Sequence, residues 1–188
     1  MNYKNMLISV SLVAAVAAAC GIAISAAPHQ DKYTLKVSGG LSFSEFRGYE
    51  SWQLISVSQR GDVMAAILGN PVAIDAFKSG IPGNGKPFPD GSKIAKIHYT
   101  AKVNGAYPGS PNMPVAQHDA DFMEKDSKRF ADGHGWGYAE FEYNPSTGAF
   151  RPGDMNDKPP QAHDAKCGVA CHESAESRDY VFTQYQTR

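Results

Sequence analysis

Lys93-Ile94-Ala95-Lys96-Ile97-His98-Tyr99-Thr100-Ala101-Lys102 alternates with a period of two. Ala95, Ile97, Tyr99 and Ala101 fall on one face, and Ile94, Lys96, His98, Thr100 and Lys102 on the other. That period predicts a β-strand on which Lys96 and His98 point the same way. Upstream, residues 49–57 (YESWQLISV) and 63–68 (VMAAIL) are rich in β-branched and aromatic residues and are separated by Gln59-Arg60-Gly61-Asp62, which predicts a hairpin. Asn70 then offers a helix cap with Pro71 at the first helical position. Val72, Ala73, Ala76 and Phe77 recur on one face before Gly80, a short amphipathic helix. Residues 80–91 form a Gly/Pro-rich surface loop and residues 104–114 a second one. Strand-like Asp119-Ala120-Asp121-Phe122-Met123 follows, then a turn through Asp126-Ser127 and a strand over 135–143, while 152–166 reads as irregular. The sum is an α+β domain, mainly antiparallel β-sheet with one or two short helices.

The chain has 188 residues and a formal charge of −1. So even a balance gives no electrostatic case for nucleic acid. The first residues carry Lys4, then an apolar stretch over 6–24, then Ser25-Ala26-Ala27, the pattern of a cleaved secretory signal peptide over residues 1–27. The expected location is periplasmic or secreted. A transmembrane anchor is the rival reading of that stretch, and a lipoprotein attached through Cys20 a third, since Ala17-Ala18-Ala19 fits a lipid-attachment box poorly. Cleavage removes Lys4, which takes the charge from −1 to −2, and removes Cys20, which leaves Cys167 and Cys171. Residues 28–188 then make one domain of ordinary size, able to bury a core and wall off a pocket.

Those two cysteines stand in Cys167-Gly168-Val169-Ala170-Cys171-His172. Two thiols followed at once by an imidazole is the arrangement of a c-type haem, with each sulfur added across a vinyl group and the histidine as proximal iron ligand. Three residues separate the cysteines here where two are usual. A disulfide closing this small loop is the structural alternative. His98, His118, His134 and His163 are polar-face or loop histidines, more ordinarily solvated than bound as a sixth ligand. Met64, Met113, Met123 and Met155 are possible thioether ligands, although methionine more often fills gaps in cores. An open, five-coordinate iron is expected.

Several stretches together resemble the cytochrome P-460 family. They are the Tyr49/Trp52 strand, Phe88-Pro89-Asp90-Gly91-Ser92-Lys93-Ile94-Ala95-Lys96, and Lys125-Asp126-Ser127-Lys128-Arg129-Phe130 with Gly135-Trp136-Gly137. Cys171-His172 followed by Arg178-Asp179-Tyr180-Val181-Phe182 completes them. The resemblance spans roughly residues 45 to 185. It implies a secreted β-rich haem domain, a homodimer, with haem against the sheet. It also implies a strand lysine, here Lys96, bonded to a meso carbon of the macrocycle, and a distal acidic residue handling protons, here Asp121. Periodicity alone reads Lys96 as a solvated strand lysine and Asp121 as an unpartnered turn or strand-edge carboxylate. Where some enzymes of the family carry a distal arginine, this chain has Ala65.

The activity this resemblance implies is oxidation of hydroxylamine to nitric or nitrous oxide, with electrons passed to a soluble acceptor. A non-enzymatic binder of nitric oxide or carbon monoxide, similar to the β-rich cytochromes c′ and using Phe122 or Phe88 for an apolar pocket, is the alternative. An electron-transfer cytochrome c is a third, and would need a sixth protein ligand.

Overall fold

Six strands run as β1 (Gln53–Arg60), β2 (Val63–Gly69), β3 (Lys93–Val103), β4 (Asn112–Lys125), β5 (Trp136–Asn144) and β6 (Ala149–Pro152). They form one antiparallel sheet in chain order, a meander in which each strand pairs with the next. The computed structural model describes residues 30–37, 39–153 and 166–186. The expected signal peptide, His163 and Met155 lie outside them. Among the described residues no helix is long and apolar enough to cross a membrane. Two helices accompany the sheet, α1 (Pro71–Lys78) and α2 (Lys166–His172), with short 3₁₀ segments at Lys32–Thr34, Phe43–Phe46, Tyr49–Ser51, Ala131–Gly133 and Glu173–Arg178. The structure is thus the α+β, mainly antiparallel fold expected.

The alternation of β3 decides what each face of the sheet does. Ala95 and Ile97 lie beside Phe122 and Ala120 of β4, which lie beside Ala139 and Phe141 of β5. All six are buried. The N-terminal 3₁₀ segments cover this face with Phe43, Phe46 and Tyr49. Phe46 stacks on Phe122 at 4.3 Å between ring centroids, and Phe43 meets Phe141 at 4.8 Å and Phe150 at 4.9 Å. Each such ring withdraws well over a hundred Å² from water, worth about 2–3 kcal/mol of transfer free energy. The larger aromatic cluster therefore sits on one side of the sheet, while the Lys96 side combines buried apolar residues, among them Ile94, Trp136 and Tyr138, with the polar row that contains Lys96.

Asn70 fixes where β3 begins. Its Oδ1 accepts from Ala73 N, capping α1, and from Lys93 N, both at 3.0 Å, while its Nδ2 donates to Gly91 O at 2.8 Å. One side chain thus ends a loop, starts a helix and holds the first residue of the central strand.

Two local expectations are corrected and one strand is added. Tyr49-Glu50-Ser51 is a 3₁₀ turn, and β1 starts at Gln53. Gly48 adopts φ +83°, which turns the chain so that Tyr49 enters the core. The loop expected to reach residue 114 ends earlier, because β4 starts at Asn112 and Pro114 already pairs with Ala101, across a register irregularity that accommodates the missing N–H. The added strand, β6, forms because Phe150 joins the aromatic core and pairs with Tyr143.

Candidate functional site

On the face opposite the larger aromatic cluster, cross-strand neighbours line up in rows. Ser56, Ile67, Lys96, Asp121 and Glu140 form one row across β1 to β5. Ser58, Ala65, His98, Asp119 and Glu142 form the next, and Ile94, Met123 and Tyr138 the one on the other side. A cavity of about 350 Å³ opens over these rows, within the size range of small-molecule sites. Ile67, Ile94, Met123 and Tyr138 give it apolar walls, and Lys96 and Asp121 supply charge from the sheet. His172, Val181, Phe182 and Thr183 close it from the C-terminal side. That closing segment is tied to β1 by Ser56 Oγ to Thr183 Oγ1 and by Gln53 Nε2 donating to Tyr185 OH, each at 2.5 Å. A neighbouring cavity shares Lys96 and is lined also by Arg60, Ala65 and His98.

Helix α2 carries the thiols and the imidazole. Cys167 and Cys171 are both free, and four residues apart on a helix they share one face, about 5–6 Å apart at Cβ. The extra residue between them therefore keeps the two sulfurs on the same side. Gly168 permits the helix to dock: a Cβ there would lie 2.4 Å from Tyr138 Cγ and 2.5 Å from Tyr138 Cβ. Burial first, then the charges of Glu140 and the neighbouring Cys171, push the Cys167 thiol up to about 11. It is protonated at neutral pH.

His172 ends α2 between the rings of Tyr138 and Phe182, each 4.9 Å away. Its Nδ1 hydrogen-bonds the Tyr180 carbonyl at 2.5 Å. Burial holds the imidazole below its ordinary pKa, with Lys96 acting in the same direction and the Tyr180 carbonyl against both. A neutral ring that donates from Nδ1 keeps its lone pair on Nε2, the arrangement of a metal-ligating histidine.

Asp121 is the cavity's carboxylate. Although 40 % of its side chain is accessible, that area opens into a concave and mainly apolar space, and the enclosure governs its titration. Burial lifts its pKa to about 6, against the pull of His98 and Lys96 and with help from Asp119. The carboxyl lies 3.6 Å from His98 Nδ1, and His98 also pairs with Asp119, which in turn contacts His118 Nδ1 at 2.6 Å. Glu140, beside Asp121 on β5, is raised to about 7 by burial and then by Asp121 and Asp119.

Lys96, Asp121 and His172 thus meet in one cavity, with Cys167 and Cys171 on the helix that ends at His172. Lys96 is half-buried and lines both cavities. Of the two apolar candidates, Phe122 lines the cavity and Phe88 does not. Phe88 packs on Phe77 and Trp136 away from the cavity, and Phe122, although it borders the cavity, turns its ring into the core, so Phe182 and Val181 provide the C-terminal apolar wall. His118 is engaged with Asp119, and His134 stacks on Tyr180 at 4.3 Å. Met123 borders the cavity. Glu140, Tyr138 and Arg60 went unrecognised in the sequence, since only strand register shows which residues of β1 and β5 face Lys96.

Beneath His172 lies a second polar cluster. Asp179 and Tyr180 both take left-handed φ, +48° and +62°. Such conformations cost a residue with a side chain roughly 1–2 kcal/mol. Lys125, 6 % exposed, donates to Asp179 Oδ1 at 2.7 Å, and Phe88 N donates to Asp179 Oδ2 at the same distance. Trp136 Nε1 donates to the Asp179 carbonyl at 2.9 Å.

A β-meander with a cavity on one face, closed by a buried histidine at the end of a helix that carries two free thiols, is an architecture suited to a β-sheet haem-binding domain. The comparison with known families agrees: residues 46–183 match the family described as Cytochrome P460, and the chain belongs to that family. Its cofactor is a haem. A search of individual curated proteins gives no significant match. The residues present fit the cofactor, since an imidazole fixed at Nδ1 and a largely apolar cavity are what an iron porphyrin requires.

Proposed function

We propose that this protein is a haem enzyme that oxidises hydroxylamine, with the haem held covalently by Cys167 and Cys171 and its iron by His172. Thioether formation is redox-neutral, each S–H adding across one vinyl group. Bound there, haem supplies a site for the substrate nitrogen and a route for single electrons to an external acceptor. Lys96 projects from the central strand toward the same space and is the candidate for a second covalent link. That bond replaces a hydrogen on nitrogen and one on carbon, and so requires a two-electron oxidant of the peroxide class, which takes up the two electrons and two protons as water.

Proton handling belongs to the chain's own residues. One hydroxylamine gives nitric oxide with loss of three electrons and three protons, and two give nitrous oxide and water with loss of four of each. Asp121, with its pKa near 6, is ionised at neutral pH yet basic enough to accept these protons. Glu140 beside it is a second acceptor. The observation that carries this reading is the convergence of His172, Lys96 and a carboxyl of raised pKa on one cavity. The apolar walls favour the rival reading, a binder of nitric oxide or carbon monoxide without turnover.

Turnover decides between them. Protein matured with haem in a c-type-competent periplasm is assayed with hydroxylamine and an artificial acceptor. The enzyme reading expects turnover that rises with pH through about 6 and falls 10²–10⁴-fold in Asp121→Asn. Tight nitric oxide binding without turnover would establish the binder instead. A periplasmic location and a homodimer belong to the same proposal, tested by fractionation and by the mass of the native protein in solution.

A further inference from the structure

The 3₁₀ segment that follows α2 has no need of two successive left-handed residues in order to end, and a single glycine would end it without strain. Asp179 and Tyr180 adopt that conformation all the same, and Tyr180 stacks on His134, itself at φ +58°. Separate parts of the fold converge on Asp179. The Lys125 ammonium comes from the end of β4, the Phe88 amide from the loop before β3, and the Trp136 indole N–H from the start of β5. The Lys125 and Asp179 side chains are only 7 % and 11 % exposed, so the pair is shielded from water and salt. Lys125 Nζ also donates to His134 O at 3.2 Å, which ties both sides of the stacked rings to one cation. What all of this fixes in space is the next carbonyl along, Tyr180 O, the acceptor of His172 Nδ1–H.

We propose that Lys125 and Asp179 are positioning residues for the iron ligand: their buried ion pair holds the strained Asp179–Tyr180 turn so that Tyr180 O sets the orientation and donor strength of His172. The inference rests on His172 being the ligand. A carbonyl that holds the Nδ1 proton moves electron density toward Nε2, which strengthens donation to iron and favours its ferric form. Freeing the turn lengthens that hydrogen bond and favours the ferrous form.

The test uses the haem-loaded protein. Lys125→Met and the milder Asp179→Asn are compared with the parent by potentiometric titration and by the ferrous iron–histidine stretching band in resonance Raman spectra. Partner changes of this kind alter metal-site equilibria by 10–100-fold. The expectation is at least a tenfold gain in the reduced-to-oxidised ratio at fixed potential, about +59 mV for one electron, with the stretching band at lower frequency. Ile55→Ala, a core truncation on β1, lowers the melting temperature and moves neither readout. Unchanged potential and band in both Lys125→Met and Asp179→Asn, while His172→Ala alters them, would overturn the positioning role and leave the ligand in place. An equal shift in Ile55→Ala would also overturn it. If His172→Ala changes nothing, the ligand assignment fails and the inference falls with it.

Discussion

Replacing Gly168 with alanine sets helix propensity against packing at the point where α2 meets the sheet. Taken alone, the substitution favours the helix by about 1 kcal/mol. Docked, the new methyl would lie 2.4, 2.5 and 2.7 Å from Tyr138 Cγ, Cβ and Cδ1. Ordinary carbon contacts start near 3.5 Å, so the helix must retreat by about 1 Å. Tyr138 cannot yield easily, because the atoms struck are the root of its ring and its buried side chain packs on His172. Overpacking of this kind costs 1–3 kcal/mol, and contact with a ring root belongs at the upper end. Subtracting the propensity gain leaves a net loss of about 2 kcal/mol, a fall of roughly 4–8 °C in melting temperature for a chain of this size. The assay is thermal unfolding by circular dichroism on haem-loaded protein, with the yield of covalent haem measured alongside. A melting point at or above the parent's, with full haem yield, would refute the close docking of α2 on β5.

Asp121→Asn is expected to stabilise the protein above pH 6 and to make little difference near pH 4. The folded carboxyl titrates near 6 against 3.8 when free, so its contribution to stability is present below pH 4 and is lost as pH rises through 6. Two units correspond to about 3 kcal/mol at most, and with 40 % of the side chain accessible about 1 kcal/mol is expected, read from urea midpoints at pH 4 and pH 8. Asn70→Ala removes the α1 cap and the clip on Lys93 together. Its expected cost is about 2–3 kcal/mol by denaturant titration, and a loss under 0.5 kcal/mol would contradict the clip.

Readings that depended on neighbouring residues alone were legible in the sequence. The alternation of β3 put Lys96 and His98 on one face because a strand cannot turn one side chain without turning the rest. Asn70-Pro71 announced α1 because capping and a fixed φ are local properties. Cys167, Cys171 and His172 were visible as a cluster for the same reason. Features that depend on register or on distant contacts were not. Asp121 and Glu140 become neighbours only once β4 and β5 pair, and Tyr138 meets Gly168 only once α2 folds back. Lys125 and Asp179, 54 residues apart, look like ordinary surface charges until burial pairs them. Tyr49 reads as a strand residue by composition, yet the left-handed Gly48 before it redirects the chain.

Covalent attachment of haem to α2 is read directly from a peptide map of the purified protein. Trypsin cuts after Lys166 and Arg178, which frees residues 167–178 (CGVACHESAESR) as one fragment. This peptide is expected to carry one haem through both cysteines after denaturation and acid extraction. If residues 167–178 are recovered with both thiols free while the native protein shows a haem spectrum, covalent attachment at this helix is contradicted.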